Sequence, residues 1–284
     1  MIQKLALGTV QFGLQYGINN EIGQVTPSRI NEILSLAHYS GVELIDTAHS
    51  YGDSEEQLGV ANINKFKVVS KLPVDFKDVK TTFELSTQRL KVDKLYGYLL
   101  HSFSIYKSTP QIWEELVALK NLGKVNKIGF SLYTIDELDK ILDDGIIPDL
   151  IQIPFNIFDQ HFTERLHLLN SLGVQIHTRS TFLQGLFFSD VKKINSHFSS
   201  VKSKIEKIQS LAIDNNMKIN ELCIQFVLLT ANIDKVVVGV DSVNQLKENI
   251  TSFGNSQMNL KCYENLLDLK ENNTEIIYPQ NWKF

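Results

Sequence analysis

The sequence predicts an α/β fold in which eight parallel strands alternate with helices and close into a single-domain (β/α)8 barrel, the TIM barrel. Three observations support this: short apolar runs recur eight times, segments of helical period lie between them, and no proline- or serine-rich linker divides the chain. The 284 residues would fit one barrel or two ordinary domains. The uninterrupted alternation favours one barrel over about residues 4–252, followed by a C-terminal helix and tail over residues 253–284.

The apolar runs are the predicted strands. Most are too continuously apolar for strands with one wet face, as in LYGYLL and KVVVG, which indicates a parallel sheet buried on both sides. The predicted strands cover residues 4–10, 43–48, 66–72, 95–102, 125–132, 150–155, 174–180 and 235–240.

Helices are predicted between the strands from their start and stop signals. Thr26-Pro27 precedes the periodic segment RINEILSLAHYS, and Thr134 precedes IDELDKILDDG. Glycines that suit a left-handed helix end close several segments, namely Gly41, Gly123, Gly145 and Gly173. Two long connections, residues 13–24 and 181–234, follow the first and seventh strands, so they are expected on the functional face of the barrel.

Composition excludes several classes of function. The 28 basic and 32 acidic residues leave a net charge of −4, which argues against a nucleic-acid partner. Two cysteines are too few for a disulfide framework or a four-cysteine zinc site, and no H-E-x-x-H spacing occurs, so no metal is expected. The chain has no apolar run of about 18 residues and no signal-peptide core, which predicts a cytoplasmic protein without a membrane partner. The oligomeric state stays open.

Polar residues end most of the predicted strands. Asp46, Lys71 and His101 end strands two, three and four, and Tyr51 follows Asp46 by five residues. Ser131, Arg179 and Gly239 end later strands. Because the carboxyl ends of barrel strands converge on one rim, these side chains are expected to meet there. A single polar residue also ends a strand wherever the chain re-enters solvent. That explanation does not account for an Asp, a Lys and a His at the ends of three successive strands, with a Tyr close to the Asp.

The chain resembles the aldo-keto reductases from LALGTVQFG to DSVNQLKEN. The segment IDTAHSYGDSEEQLG is similar to that family's signature after the second strand, SK to its third-strand lysine, and LLHSF to its fourth-strand histidine. The resemblance implies reduction of an aldehyde or ketone with a nicotinamide dinucleotide. It implies a catalytic tetrad of Asp46, Tyr51, Lys71 and His101.

General chemistry explains this combination of residues. A carbonyl that accepts hydride develops alkoxide charge, so a proton donor is needed. The resemblance implies that Tyr51 is that donor, and the Lys71 ammonium is expected to bring the phenol pKa down from about 10. Asp46 would compensate the buried ammonium, and His101 would orient the carbonyl or share the proton.

The cofactor predicted from the resemblance is NADP or NAD, lying across the rim. The chain has no G-x-G-x-x-G after a strand and no Walker loop, so other nucleotide folds lack support. The resemblance implies that Ser131 and Gln152 hold the nicotinamide carboxamide. It also places Arg179 where the family usually has an aromatic residue that stacks on the nicotinamide.

The loop after the eighth strand, GVDSVNQLKEN, resembles the segment that binds the adenosine end. Glu248 and Asn249 would meet the adenine. The positions of the family's 2′-phosphate-binding cations fall on Gly239 and Gln245, which carry no charge, and Asp241 adds repulsion. Ser242 and Lys247 could partly substitute, so the predicted selectivity between NADP and NAD is relaxed.

Two other functions remain open at this point. One is a dinucleotide-binding regulatory subunit with little turnover, and the other is a barrel isomerase or lyase that uses Lys71 as a Schiff base. The partner expected of a reductase is a small-molecule carbonyl substrate, and Arg179 with Gln184 makes sugar-like carbonyls conceivable.

Overall fold

The computed structural model describes residues 1–254 and 258–283 and confirms the predicted barrel. Neighbouring strands are parallel and follow one another in chain order, and β8 pairs with β1 to close the sheet. The strands are β1 (Leu5–Gly8), β2 (Leu44–Asp46), β3 (Lys67–Leu72), β4 (Leu95–Leu100), β5 (Val125–Ser131), β6 (Leu150–Pro154), β7 (Gln175–Arg179) and β8 (Lys235–Gly239). Each lies inside its predicted run: β4, β5, β6 and β8 begin where predicted and end one or two residues earlier, β3 begins one residue later, and β1, β2 and β7 are shorter at both ends.

The helices surround the sheet. They are α1 (Val10–Gly13), α2 (Pro27–Tyr39), α3 (Ser54–Val60), α4 (Val79–Leu90), α5 (Phe103–Ser108), α6 (Ile112–Asn121), α7 (Ile135–Asp143), α8 (Thr163–Ser171), α9 (Lys202–Asp214), α10 (Ile219–Leu229), α11 (Val243–Gly254), α12 (Leu260–Leu267) and α13 (Thr274–Ile277). The segment predicted as 253–284 is only partly described, because residues 255–257 and 284 lie outside the described residues. In the described ranges, no helix has the length and apolarity needed to cross a bilayer.

The helix ends follow the predicted signals. Thr134 forms a capping box with Glu137 at the start of α7, each side chain bonding the other's backbone N–H. The four predicted closing glycines all have positive φ angles, between 70° and 84°. These local signals fix where each helix stops and the next strand begins.

The barrel interior has an apolar layer below a polar one. The apolar layer is a small buried cluster made of Ala6, Leu44, Val69, Leu99, Leu150 and Val237. Alternate residues of a strand point to the same side, so Asp46, Lys71 and Gln152, each two residues further on, face the interior one layer higher. These polar side chains therefore lie inside the barrel, near the carboxyl ends of its strands.

One buried histidine in the barrel has no evident partner. His177 of β7 is 0% exposed, and neither ring nitrogen has a hydrogen-bond partner among the described residues. Burial, with smaller contributions from Lys235, Lys71 and Lys127, lowers its pKa from 6.5 to about 3. The imidazole is therefore neutral in the folded protein at neutral pH.

We expect His177→Leu to make stability less sensitive to acid. The unfolded histidine takes up a proton below pH 6.5 and the folded one only near 3, so the wild type loses stability across that window as pH falls. At about pH 4.5 the difference in unfolding free energy approaches roughly 3 kcal/mol, because each pKa unit corresponds to about 1.36 kcal/mol. Urea unfolding of both proteins at about pH 7 and pH 4.5 measures it. Equal losses of stability on acidification would contradict this assignment.

Candidate active site

A cavity of about 720 Å³ opens at the carboxyl end of the strands. That size is typical of sites for small ligands and cofactors. The predicted site residues that line it are Asp46, Tyr51, His101, Ser131, Gln152, Arg179, Gly239, Gln245, Glu248 and Asn249. Lys71 lies just below the wall against Asp46, and Ser242 is not among the lining residues. The fold thus brings the ends of β2 to β8 to one cavity.

A buried ion pair lies at the base of the cavity. Lys71 Nζ is 2.6 Å from Asp46 Oδ1 and also donates to the Thr47 carbonyl at 2.9 Å. Gln152 Nε2 donates to the other Asp46 oxygen at 2.7 Å. Burial lowers the pKa of Lys71, and the Asp46 charge opposes that shift. Both carboxylate oxygens are therefore bonded, and the charges of Lys71 and Asp46 largely offset each other.

Tyr51 lies directly against this pair. Lys71 Nζ is 5.1 Å from the centroid of the phenol ring. Burial raises the pKa of Tyr51, the Asp46 charge raises it further, and Arg179 opposes the shift. The sequence predicted that Lys71 would lower this pKa, but the ammonium is offset by Asp46 and burial has the larger effect. The phenol therefore keeps its proton well above neutral pH.

His101 packs edge-on against Tyr51, with ring centroids 5.6 Å apart. Its Nδ1 forms a hydrogen bond with Ser50 Oγ at 2.9 Å. Burial, with the charges of Lys71 and Arg179, lowers the pKa of His101 to about 3, so the imidazole is neutral. Sequence reasoning missed Ser50, although its position beside Tyr51 on the same loop was a usable signal.

Two glycines hold the Tyr51 loop close to the end of α1. A Cβ on Gly13 would lie 1.8 Å from the Tyr51 carbonyl oxygen, and one on Gly52 would lie 2.2 Å from the Gly13 oxygen. Gly52 also has a φ of 56°, which favours glycine. Ser54 Oγ donates to the Thr9 carbonyl at 3.0 Å behind the loop. These contacts set the backbone from which the phenol projects.

Arg179 is held by the end of β5. Its guanidinium carbon lies 4.1 Å from the centroid of the Tyr133 ring, and Nη2 donates to the Leu132 carbonyl at 3.2 Å. Nη1 donates to Ser180 Oγ at 3.4 Å. Tyr133 is fixed in turn by Tyr278, whose hydroxyl donates to the Tyr133 carbonyl at 2.9 Å. Tyr133 was also missed, although it follows the predicted Ser131 by two residues.

The loops after β1 and β7 meet over the mouth of the cavity. Ile18 N donates to the Gln184 carbonyl at 3.0 Å, and Asn19 Nδ2 donates to the Gly185 carbonyl at 2.7 Å. Gln184 Nε2 donates to the Tyr16 hydroxyl at 3.0 Å. These are the two long connections that the sequence assigned to the functional face, and together they form a bridge across the cavity.

The loop after β8 uses its polar groups locally. Asp241 N donates to Gln245 Oε1 at 2.7 Å, and Ser242 Oγ accepts from Gln245 N at 3.2 Å. Glu248 pairs with Lys218 at 2.7 Å. Burial raises the pKa of Asp241. Neither Lys nor Arg lines this end of the cavity among the described residues.

The residues present fit a nicotinamide dinucleotide. Because a carboxylate only accepts, the bond to Asp46 fixes the Gln152 amide and leaves its Oε1 as a buried acceptor with no partner in the described chain. Gln11 Oε1, which also belongs to a residue lining the cavity, is a second such acceptor. A carboxamide N–H would satisfy Gln152. Residues 1–254 and 258–283 contain no cluster of His, Cys, Asp or Glu that could hold a metal ion.

Comparison with known proteins agrees with the barrel. A glyoxal reductase of Bacillus subtilis is 30% identical over 168 residues, covering 54% of this chain and 58% of that protein. An uncharacterized oxidoreductase of Schizosaccharomyces pombe is 26% identical, covering 59% and 64% respectively. The chain thus aligns with about three fifths of the length of such relatives. The holo form of an aldo-keto reductase from Bacillus halodurans superposes with a TM-score of 0.79 at 17% identity, over 99% of this chain and 95% of that one.

The family comparison covers most of the sequence. The model of the aldo/keto reductase family matches residues 4–266, which include all eight strands and every residue of the cavity described above except Pro279 and Gln280. The chain belongs to the aldo/keto reductase family.

Proposed function

We propose that the protein reduces an aldehyde or ketone to an alcohol with Tyr51 as the proton donor. The observation that carries this proposal is a half-buried, protonated phenol beside a buried lysine–aspartate pair and a neutral histidine in one cavity. A bound NADPH or NADH supplies the hydride. The substrate is a small-molecule carbonyl compound, and glyoxal reductase is among the relatives that support this class.

Tyr51 supplies the proton as the carbonyl oxygen gains negative charge. The phenolic O–H bond breaks, and the proton goes to the substrate oxygen, which leaves a phenolate beside Lys71. The buried ammonium, 5.1 Å from the ring centroid, stabilises that phenolate. Lys71 therefore reduces the free-energy cost of forming the phenolate, while burial and the Asp46 charge keep the pKa of the phenol raised overall.

His101 orients the substrate. Its ring is neutral, and the Ser50 hydrogen bond at Nδ1 leaves Nε2 available to the cavity. A neutral imidazole can bond to the carbonyl oxygen without competing as the stronger acid. We expect no inflection in the pH profile of reduction near 6.5 from this group, because its pKa is far lower.

Ser131 and Gln152 are proposed to bind the carboxamide of the cofactor, while Glu248 and Asn249 meet the adenine. The free Gln152 Oε1 supports the first assignment. For the second, Asn249 already accepts from Asn220 Nδ2 at 3.2 Å, which fixes its amide. Localisation in the cytoplasm stays a prediction, with two buried free cysteines in its favour.

Tyr51→Phe tests the proton donor. It should lower kcat for aldehyde reduction by about 10²–10⁴ while leaving the dissociation constant of the cofactor nearly unchanged. Oxidation of NADPH and NADH with a panel of aldehydes and sugars measures kcat. Quenching of protein fluorescence measures the dissociation constant of the cofactor. Tyr98→Phe is the matched control, because Tyr98 is a buried tyrosine that does not line the cavity. A Tyr51→Phe protein that keeps more than about a tenth of wild-type turnover contradicts the assignment.

Lys71→Met and Asp46→Asn test the ion pair. Each variant leaves one group of a buried pair uncompensated, which costs about 3–5 kcal/mol of stability and slows reduction. The double variant removes both, so its losses in unfolding free energy and in kcat should be smaller than the two single losses combined. Urea unfolding and steady-state kinetics on the three proteins decide this. Fully additive losses would mean that the two residues act independently.

Relaxed cofactor selectivity follows from the loop after β8. A 2′-phosphate normally needs Arg or Lys contacts, and neither residue type lines that end of the cavity. NADH and NADPH should therefore bind within about tenfold of each other, or about 1.4 kcal/mol. Fluorescence titration with both cofactors measures the ratio.

A charge-reversing variant provides the control for that ratio. Asp241→Arg combined with Gln245→Arg should shift preference toward NADPH, and added salt should weaken the shift. A wild type that already prefers NADPH by about a hundredfold, or 2.7 kcal/mol, would mean that Lys247 or Ser242 forms a phosphate site.

A further inference from the structure

Arg179 is an unpaired cation in the wall of the cavity. It is the only Lys or Arg among the described residues that line the space shared with Tyr51 and His101. No carboxylate of the described chain lies within 4.0 Å of its guanidinium nitrogens. A partly buried cation without a counterion is costly, which makes this guanidinium a strong candidate to receive an anion.

The acidic groups of the cavity are already engaged elsewhere. Asp46 accepts from Lys71 and Gln152 at 2.6 and 2.7 Å. Glu248 pairs with Lys218 at 2.7 Å, and Asp241 accepts weakly from Asn20 Nδ2 at 3.4 Å. None of them lies against Arg179, so the protein leaves this guanidinium open to an anionic ligand.

The guanidinium is held in a fixed orientation. One face stacks on Tyr133 at 4.1 Å, and the carbonyl of Leu132 and the hydroxyl of Ser180 accept one N–H each. A guanidinium has five N–H donors, so three remain for a ligand. A planar, preorganised fork of this kind matches the two oxygens of a carboxylate or phosphate.

Arg179 lies close enough to act on the proposed reacting groups. Its charge lowers the pKa of both Tyr51 and His101, although burial dominates the two shifts. An anion bound to Arg179 would therefore lie near the carbonyl that Tyr51 protonates. A small substrate that carries an anionic group close to its carbonyl group can therefore contact both Arg179 and Tyr51.

We propose that the substrates of this site are carbonyl compounds that carry a carboxylate or phosphate near the carbonyl group, and that Arg179 binds this anion. The proposal rests on the reduction proposed above and narrows its substrate class. It assigns Arg179 a role in selecting the substrate, whatever contact it also makes with the nicotinamide.

Two pairs of aldehydes test the proposal. Glyoxylate and methylglyoxal are aldehydes of similar size that carry a carboxylate and a neutral acetyl group, respectively, beside the carbonyl, and glyceraldehyde 3-phosphate and glyceraldehyde differ only in the phosphate. The wild type should have a kcat/KM at least about tenfold higher for the charged member of one pair, and that pair identifies the anion. Arg179→Gln should reduce this ratio about tenfold or more, and Arg179→Lys should restore part of it. A change in cofactor binding lowers both rates of a pair alike and cancels in the ratio.

The other outcomes separate this proposal from the reduction itself. If the neutral members are reduced as well as the charged ones and Arg179→Gln leaves the ratios unchanged, the anion proposal is wrong and the reduction stands. If Arg179→Gln weakens only NADPH binding, the residue serves the cofactor and the proposal is also wrong. If no aldehyde is turned over, calorimetry with oxalate and with inorganic phosphate on the NADP⁺-saturated protein still tests whether Arg179 binds an anion. One of these two anions should bind the wild type at least about tenfold more tightly than Arg179→Gln, and equal or absent binding of both overturns the proposal.

Discussion

The ion pair between Lys71 and Asp46 is the interaction on which the site depends. Two charges can be buried at the end of a barrel only if each is compensated and hydrogen-bonded. Here the Thr47 carbonyl and the Gln152 amide complete the bonds that the pair leaves open. Breaking any of these contacts would leave a buried charge or dipole unmatched directly below Tyr51.

This pair also determines how the neighbouring groups behave. Because the ammonium is already offset by Asp46, burial dominates at Tyr51 and keeps the phenol protonated. The same burial keeps His101 neutral. Arg179 is then the cation without a carboxylate partner that faces the cavity among the described residues, so it offers an anion a binding group beside Tyr51. The same group of charged residues therefore keeps Tyr51 protonated and places the proposed anion-binding arginine beside it.

Much of the fold and part of the candidate site could be predicted from the sequence. The strands follow from apolar runs whose pattern suits only a sheet covered on both faces, and the helix ends follow from Thr134 and the closing glycines. The meeting of Asp46, Lys71 and His101 also follows, because the topology brings strand ends to one rim. The contacts of Ser50 with His101 and of Tyr133 with Arg179 do not, since they depend on side-chain directions across different strands. The raised pKa of Tyr51 likewise depends on burial, which no local pattern reports.

In the proposed reaction, hydride passes from a bound nicotinamide to a carbonyl carbon beside Tyr51. NADPH and NADH deuterated at both C4 positions test this transfer directly, with glyoxylate and methylglyoxal as acceptors and with the product analysed by NMR and mass spectrometry. The product should carry one deuterium on the former carbonyl carbon and none on the hydroxyl oxygen after exchange. Product without carbon-bound deuterium, or no product from either acceptor with either cofactor, would contradict it.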